Sequence, residues 1–207
     1  MKRLSVSANR RFLVWEDGSP FFWLADTAWE LVHRTTIDEA EWYLERRRKQ
    51  GFTVIQAVAL AEFDGLNEPN AYGERPLINN DPLRPNAAYF QYLDRVIELA
   101  GQKGIVVGLV PSWGDKVELL AHGKGPVVFG PENARRYGEW IGNRYRDVWN
   151  IVWINGGDRQ GGGSNRDVWE ALAHGVKSAD PNHLMTFHPL GGDGGHSSAE
   201  WFHASDW

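Results

Sequence analysis

Ile105-Val106-Val107-Gly108-Leu109-Val110 and Ile151-Val152-Trp153-Ile154 contain no polar side chain, and Phe52 to Leu60 contains only Thr53 and Gln56. A strand with one wet face alternates polar and apolar residues. Unbroken runs rich in β-branched residues belong to strands covered on both faces, as in parallel sheets. Parallel neighbours cannot be joined by a tight turn and need a crossover, usually a helix. This requirement constrains the chain more than any other feature.

The sequence supplies the crossovers. Thr36-Ile37-Asp38-Glu39 has the pattern of a capping box, with Ile37, Ala40, Tyr43 and Leu44 on one face and Gly51 as a stop. Phe90, Leu93, Ile97 and Ala100 recur at helical spacing before Gly101 and Gly104. Pro131 opens a third helix where its missing N–H costs nothing, with Ala134, Tyr137, Ile141 and Tyr145 on one side. Val168, Leu172 and Val176 mark a fourth, ended by Pro181, and Leu184 to Phe187 reads as a last short strand. Ahead of these, Arg11 to Val14 and Phe21 to Leu24 flank an Asp17-Gly18 hairpin turn, and the second run continues to Asp26. Residues 61–85 and 116–130 show no period; a loop as long as the first is usually functional or disordered.

Strand and helix thus alternate about five times, which predicts an α/β fold with a parallel sheet and right-handed crossovers. An open doubly wound sheet and a (β/α)8 barrel both satisfy this. Length alone favours the open sheet, because a barrel takes ~250 residues and this chain has 207. One core and one domain over residues 1–207 are expected.

In either architecture ligands bind where strands run out of the sheet. After Ile154 the sequence switches to Asn155-Gly156-Gly157-Asp158, which places Asn155 and Asp158 at such an outlet, with glycines leaving room beside the carboxylate. The same segment also fits a polar turn before a helix. Asp26, Trp113 with Asp115, and His188 stand at three other outlets. The chain has 11 Trp, several of them beside turns and strand ends, including Trp15, Trp23, Trp29, Trp113, Trp149, Trp153, Trp201 and Trp207. Indole faces stack on sugar C–H surfaces while the N–H bonds a hydroxyl. Carbohydrate is therefore the natural ligand class, although most of these side chains are expected to fill the core.

Other classes find little support. The net charge is −5 and basic residues cluster only at Arg46 to Lys49, so no nucleic-acid surface is expected. There is no Cys, hence no thiolate nucleophile and no Cys zinc site. His174, His183, His188, His196 and His203 with Asp193 and Asp206 lack the spacing of a metal motif. The glycine runs 161–163 and 191–195 lack a phosphate-binding or dinucleotide signature, and no nucleophile elbow surrounds Ser112, Ser164 or Ser197. No cofactor or metal is expected. Neither is a membrane segment, and the start of the chain lacks the apolar run of a signal peptide, giving a cytoplasmic expectation.

Phe22-Trp23-Leu24-Ala25-Asp26-Thr27-Ala28-Trp29-Glu30-Leu31, Tyr92 to Ile97, Gly108 to Lys116, Asn150 to Arg159 and Thr186 to Pro189 resemble the apiosidase-like glycoside hydrolases. The likeness runs from the first hairpin to the C-terminus, and its first and fourth segments are the specific ones. It implies a (β/α)8 barrel, here incomplete with about five β/α units, and cleavage of plant-type or pectic oligosaccharides. It implies Asp158, ending the fourth barrel strand, as catalytic acid/base, and a carboxylate nucleophile near the seventh strand, beyond Trp207. Substrate contacts are expected from Asp26, Trp29, Trp113, Asp115, Asn155, His188 and Trp201; Asp26, Asp115 and Glu62 could stand opposite Asp158, but are assigned to sugar hydroxyls or to holding tryptophans. Glycosidic cleavage needs two carboxyl groups, ~5–5.5 Å apart for retention and ~6.5–9.5 Å for inversion. The alternative is a non-catalytic carbohydrate-binding remnant, with an open sheet edge to be covered by a second copy or another chain.

Overall fold

The computed structural model describes residues 3–120, 123–191 and 197–207. The chain begins with strands β1 (Leu4–Val6), β2 (Leu13–Trp15) and β3 (Pro20–Phe21), which form an antiparallel sheet in the order β1-β2-β3. The Asp17-Gly18 turn joins β2 to β3 as expected, with Asp17 Oδ1 accepting from the Ser19 N–H at 3.0 Å. β1 carries no sequence signal of its own and forms by pairing Leu4 with Trp15 and Val6 with Leu13.

The main sheet has five parallel strands: β4 (Ala25–Thr27), β5 (Val54–Val58), β6 (Val106–Val110), β7 (Ile151–Arg159) and β8 (Met185–Pro189). They pair in chain order, β4-β5-β6-β7-β8. Strands that always add to the same side wind as in a (β/α)8 barrel, whereas a doubly wound sheet reverses direction at a switch point. The topology thus corrects the preference based on length: this is a barrel-type fold with five β/α units.

The crossovers are α1 (Leu31–Arg34) with α2 (Ile37–Lys49), then α3 (Ala87–Gln102), α4 (Pro131–Tyr145) and α5 (Arg166–Ala179); α6 (Ser198–Phe202) follows β8. The capping box of α2 is present: Glu39 N–H donates to Thr36 Oγ1 at 3.4 Å, and the Glu39 carboxylate accepts from Thr36 N–H at 2.8 Å. Among the described residues no helix is long and apolar enough to cross a membrane.

Strand residues sort by period two. Ile55, Ala57, Val107, Leu109, Ile151 and Trp153 point to the helix layer and pack with Leu93, Ile97, Ile141, Trp169 and Leu172. Trp153 is fully buried, and its indole N–H donates to Asp180 at 2.7 Å, a carboxylate shared with His183 at 2.6 Å. Alternate residues point inward. Val54, Val106 and Val152 form the lower layer, closed from below by Leu4 and Phe21 of the hairpin sheet. Val58, Val110 and Ile154 form the upper layer beneath Trp113 and Trp29.

Candidate active site

β7 reaches further than its apolar run. Gly156 (φ 94°), Gly157 (φ 129°) and Asp158 (φ 52°) are three consecutive residues in the left-handed half of backbone space, where glycine is unstrained and Asp is better tolerated than most residues. They open a bulge: Gly156 pairs with His188, and the next partners are Arg159 and Pro189. A side chain at Gly157 would begin 2.8 Å from the Gly114 nitrogen and 2.9 Å from the Trp113 ring. The bulge and the tryptophan above it are therefore fitted to each other.

The wholly buried Arg159 fixes the turn from behind, donating to the Asp158 carbonyl and to the Glu118 carbonyl, both at 2.7 Å. Asp158 is thereby turned to the strand outlets, its side chain 40% exposed and Oδ1 3.5 Å from His188 Nδ1. The His188 ring meets Trp29 edge-on at 5.3 Å and Trp113 at 5.6 Å, and the two indoles lie 5.0 Å apart. Asp158, His188, Trp29 and Trp113 thus form one acid-and-aromatic collar, joining the outlets of β4, β6, β7 and β8. Trp113 is only 3% exposed, so this expected sugar contact instead backs the collar from the core, and Trp29 is the indole left to stack a sugar ring beside the acid.

Two further acids belong to this end. Glu62, half-buried beyond β5, is pushed up to about 7 by burial and by the charges of Glu30, Asp158 and Asp115, with Lys116 opposing. It lines a cleft of about 600 Å³ together with Thr27, Trp29, Glu30 and Trp42. Glu30 is held by His33 and Arg34, each at 2.9 Å. Glu62 was among the acids weighed from sequence, but the aperiodic loop that carries it gives no signal of its placement.

Several expected contacts lie elsewhere. Asp26 and Asn155 occupy the outward phase of their strands. Asp26 accepts from the Tyr43 hydroxyl at 2.7 Å and pairs with Arg47, both on α2, and Asn155 is buried and donates to the Trp169 carbonyl at 2.9 Å. Asp115 is buried against Lys116 at 2.8 Å and accepts from the Lys124 and Gly125 N–H groups, so it builds the loop after β6. Burial lowers the Lys116 ammonium against the pull of Asp115. Trp201 on α6 stands against Gly161 and Gly162 and near Phe187, at 6.4 Å, outside the collar.

His183 is committed to Asp180, and His203 bonds the Ala199 carbonyl at 2.9 Å. Asp193, His196 and most of the second glycine run lie outside the described residues. Among the described residues no three His, Asp or Glu side chains are grouped to hold a metal ion.

Comparison with known proteins agrees with this fold. A family model described as "Apiosidase-like, catalytic domain" matches residues 7–207. Curated protein sequences give no significant match. A solved structure described as a glycoside hydrolase superposes with a TM-score of 0.84 at 37% identity, over 99% of this chain and 44% of its own. A glycoside hydrolase family 5 structure from Bacteroides vulgatus gives 0.86 at 34%, over 99% and 43%. An endo-1,4-beta-D-mannanase from Thermotoga petrophila shares the fold, with a TM-score of 0.56 at 17% identity over 81% of this chain and 55% of its own. The chain therefore spans less than half the length of the two more similar structures.

Proposed function

Because the chain belongs to the apiosidase-like catalytic-domain family, we propose that it carries the acid/base half of a glycoside hydrolase, with Asp158 delivering the proton to the departing glycosidic oxygen. The observation that carries this reading is the bulge that sets Asp158 beside His188, whose ring meets the indoles of Trp29 and Trp113. A proton donor needs a defined reach and a stacked substrate, and the fixed backbone at Asp158 with the partly exposed Trp29 supports this reading. Plant-type or pectic oligosaccharides are the proposed substrates, and His188 is the proposed contact to a sugar hydroxyl.

The second carboxyl group is proposed to come from strands beyond these five units. Asp115 is neutralised by Lys116 and Glu30 is engaged by His33 and Arg34, so neither is suited to attack a sugar. Glu62, holding its proton near neutral pH, is a poor nucleophile. The outer strands β4 and β8 are the proposed edges for further strands or a second copy. The test is aryl-glycoside and pectin-oligosaccharide hydrolysis by a chain of the relatives' length, as wild type and as Asp158→Asn. Unchanged turnover in the variant removes Asp158 from the chemistry. Oligosaccharide binding without turnover in the wild type favours a carbohydrate-binding role.

A further inference from the structure

The main chain around Glu62 is pinned on both sides. Ala59 N–H donates to the Val110 carbonyl at 2.8 Å, and Trp113 N–H to the Leu60 carbonyl at 3.0 Å. Lys116 Nζ then reaches the Phe63 carbonyl at 3.3 Å. Glu62 therefore projects from an anchored segment into the cleft it shares with Trp29, the indole that also touches His188. No cation is paired with it among the described residues. The nearby Lys116 is committed to Asp115, Arg34 across the cleft to Glu30, and Glu39 to its own helix cap. The remaining charges facing it are Glu30 ahead of α1, Asp158 on β7 and Asp115 after β6.

We propose that Glu62 is a specificity residue that recognises a hydroxyl of the sugar seated between Trp29 and Asp158. This rests on the glycoside-binding reading of the same site. Burial, together with the charges of Glu30, Asp158 and Asp115, disfavours the anion and pushes the carboxyl up to about 7, so the neutral form prevails below that pH. A neutral carboxyl offers one O–H donor and one carbonyl acceptor. A sugar hydroxyl offers the same pair, so the two can exchange hydrogen bonds as a carboxylate could not.

The experiment is calorimetric titration of the 207-residue chain with short pectin-derived oligosaccharides between pH 5.5 and 8.5, for wild type, Glu62→Gln and Glu62→Ala. Removing one neutral hydrogen bond predicts a loss of roughly 3–10-fold for Glu62→Ala at pH 5.5. The wild type should weaken by a similar factor as Glu62 ionises above pH 7, while Glu62→Gln, whose amide keeps a donor and an acceptor, should hold its affinity across the range. Every other titrating group is common to both proteins, so the difference between the profiles belongs to Glu62. Superimposable wild-type and Glu62→Gln profiles overturn the proposal, as do wild-type affinity in Glu62→Ala or no binding by any form. If Glu62→Ala fails to fold, the Gln profile carries the test. Turnover is not read, so loss of the Asp158 hypothesis leaves this result standing.

Discussion

The same strands build two unlike ends. At the floor, Val54, Val106 and Val152 meet Leu4 and Phe21, apolar groups that exclude water and hold no charge. At the outlets, four residues further along β5 and β6, Val58 and Val110 support Trp113 and Trp29, above which stand Asp158, Glu62 and Glu30. Burial first, and then the neighbouring acids, push the Glu62 carboxyl up to about 7. The floor contributes stability by burying apolar area, and the outlets spend some of it on like charges and left-handed backbone. Separating the two along a strand lets the chemistry vary while the closure below stays intact.

The contrast can be broken at either end. The largest effect is expected from Asp158→Asn in a chain of the relatives' length: kcat/KM should fall by ~10²–10⁴-fold with the thermal midpoint nearly unchanged, because Asn also tolerates positive φ. Phe21→Ala is its mirror. Phe21 is 8% exposed and meets Trp15 edge-on at 5.0 Å, so its loss should cost about 3–5 kcal/mol in urea denaturation while the folded fraction keeps its oligosaccharide affinity. Gly157→Ala couples the ends, since it strains the bulge by about 1–3 kcal/mol and drives against Trp113. A lower melting temperature should come with altered tryptophan fluorescence and weaker sugar binding.

The smallest effect belongs to His33, whose ring bridges Glu30 at 2.9 Å and the Glu68 carbonyl at 3.0 Å. The Glu30 bond, aided by the Glu68 carbonyl against the cost of burial, raises its pKa above the ordinary value of 6.5. The imidazolium therefore stabilises the fold fully below about pH 6.5, and that stabilisation is lost as pH rises through the raised value. His33→Gln should lower the melting temperature more at pH 5.5 than at pH 8.5, and an equal loss at both would sink the linkage.

The order of elements was legible because apolar runs and helical spacing are local signals. The place of Asp158 at a strand outlet was legible because composition changes abruptly after Ile154. What the sequence withheld was phase. A strand covered on both faces lacks the polar alternation that tells inside from outside, so Asp26 and Asn155 read as outlet residues although both point to the helices. Asp115 was misplaced for a related reason, since its partnership with Lys116 and the 124–125 backbone depends on how a loop closes. Glu62 could be named but not placed, because residues 61–85 are held by their own turns and by scattered long-range bonds, such as Lys116 to the Phe63 carbonyl and His33 to the Glu68 carbonyl, and show no periodicity.

With Asp158 as the proposed proton donor, the run Gly156-Gly157-Asp158 also bears on why Asp and not Glu stands there. The detour in the main chain carries the carboxyl forward, as an extra methylene would, without adding a rotatable bond. Asp158→Glu should overshoot by about one carbon–carbon length, and misplacement of ~1 Å can cost 10²-fold. On the proposed role, the range of this carboxyl is written into the backbone, and a longer side chain should be a loss.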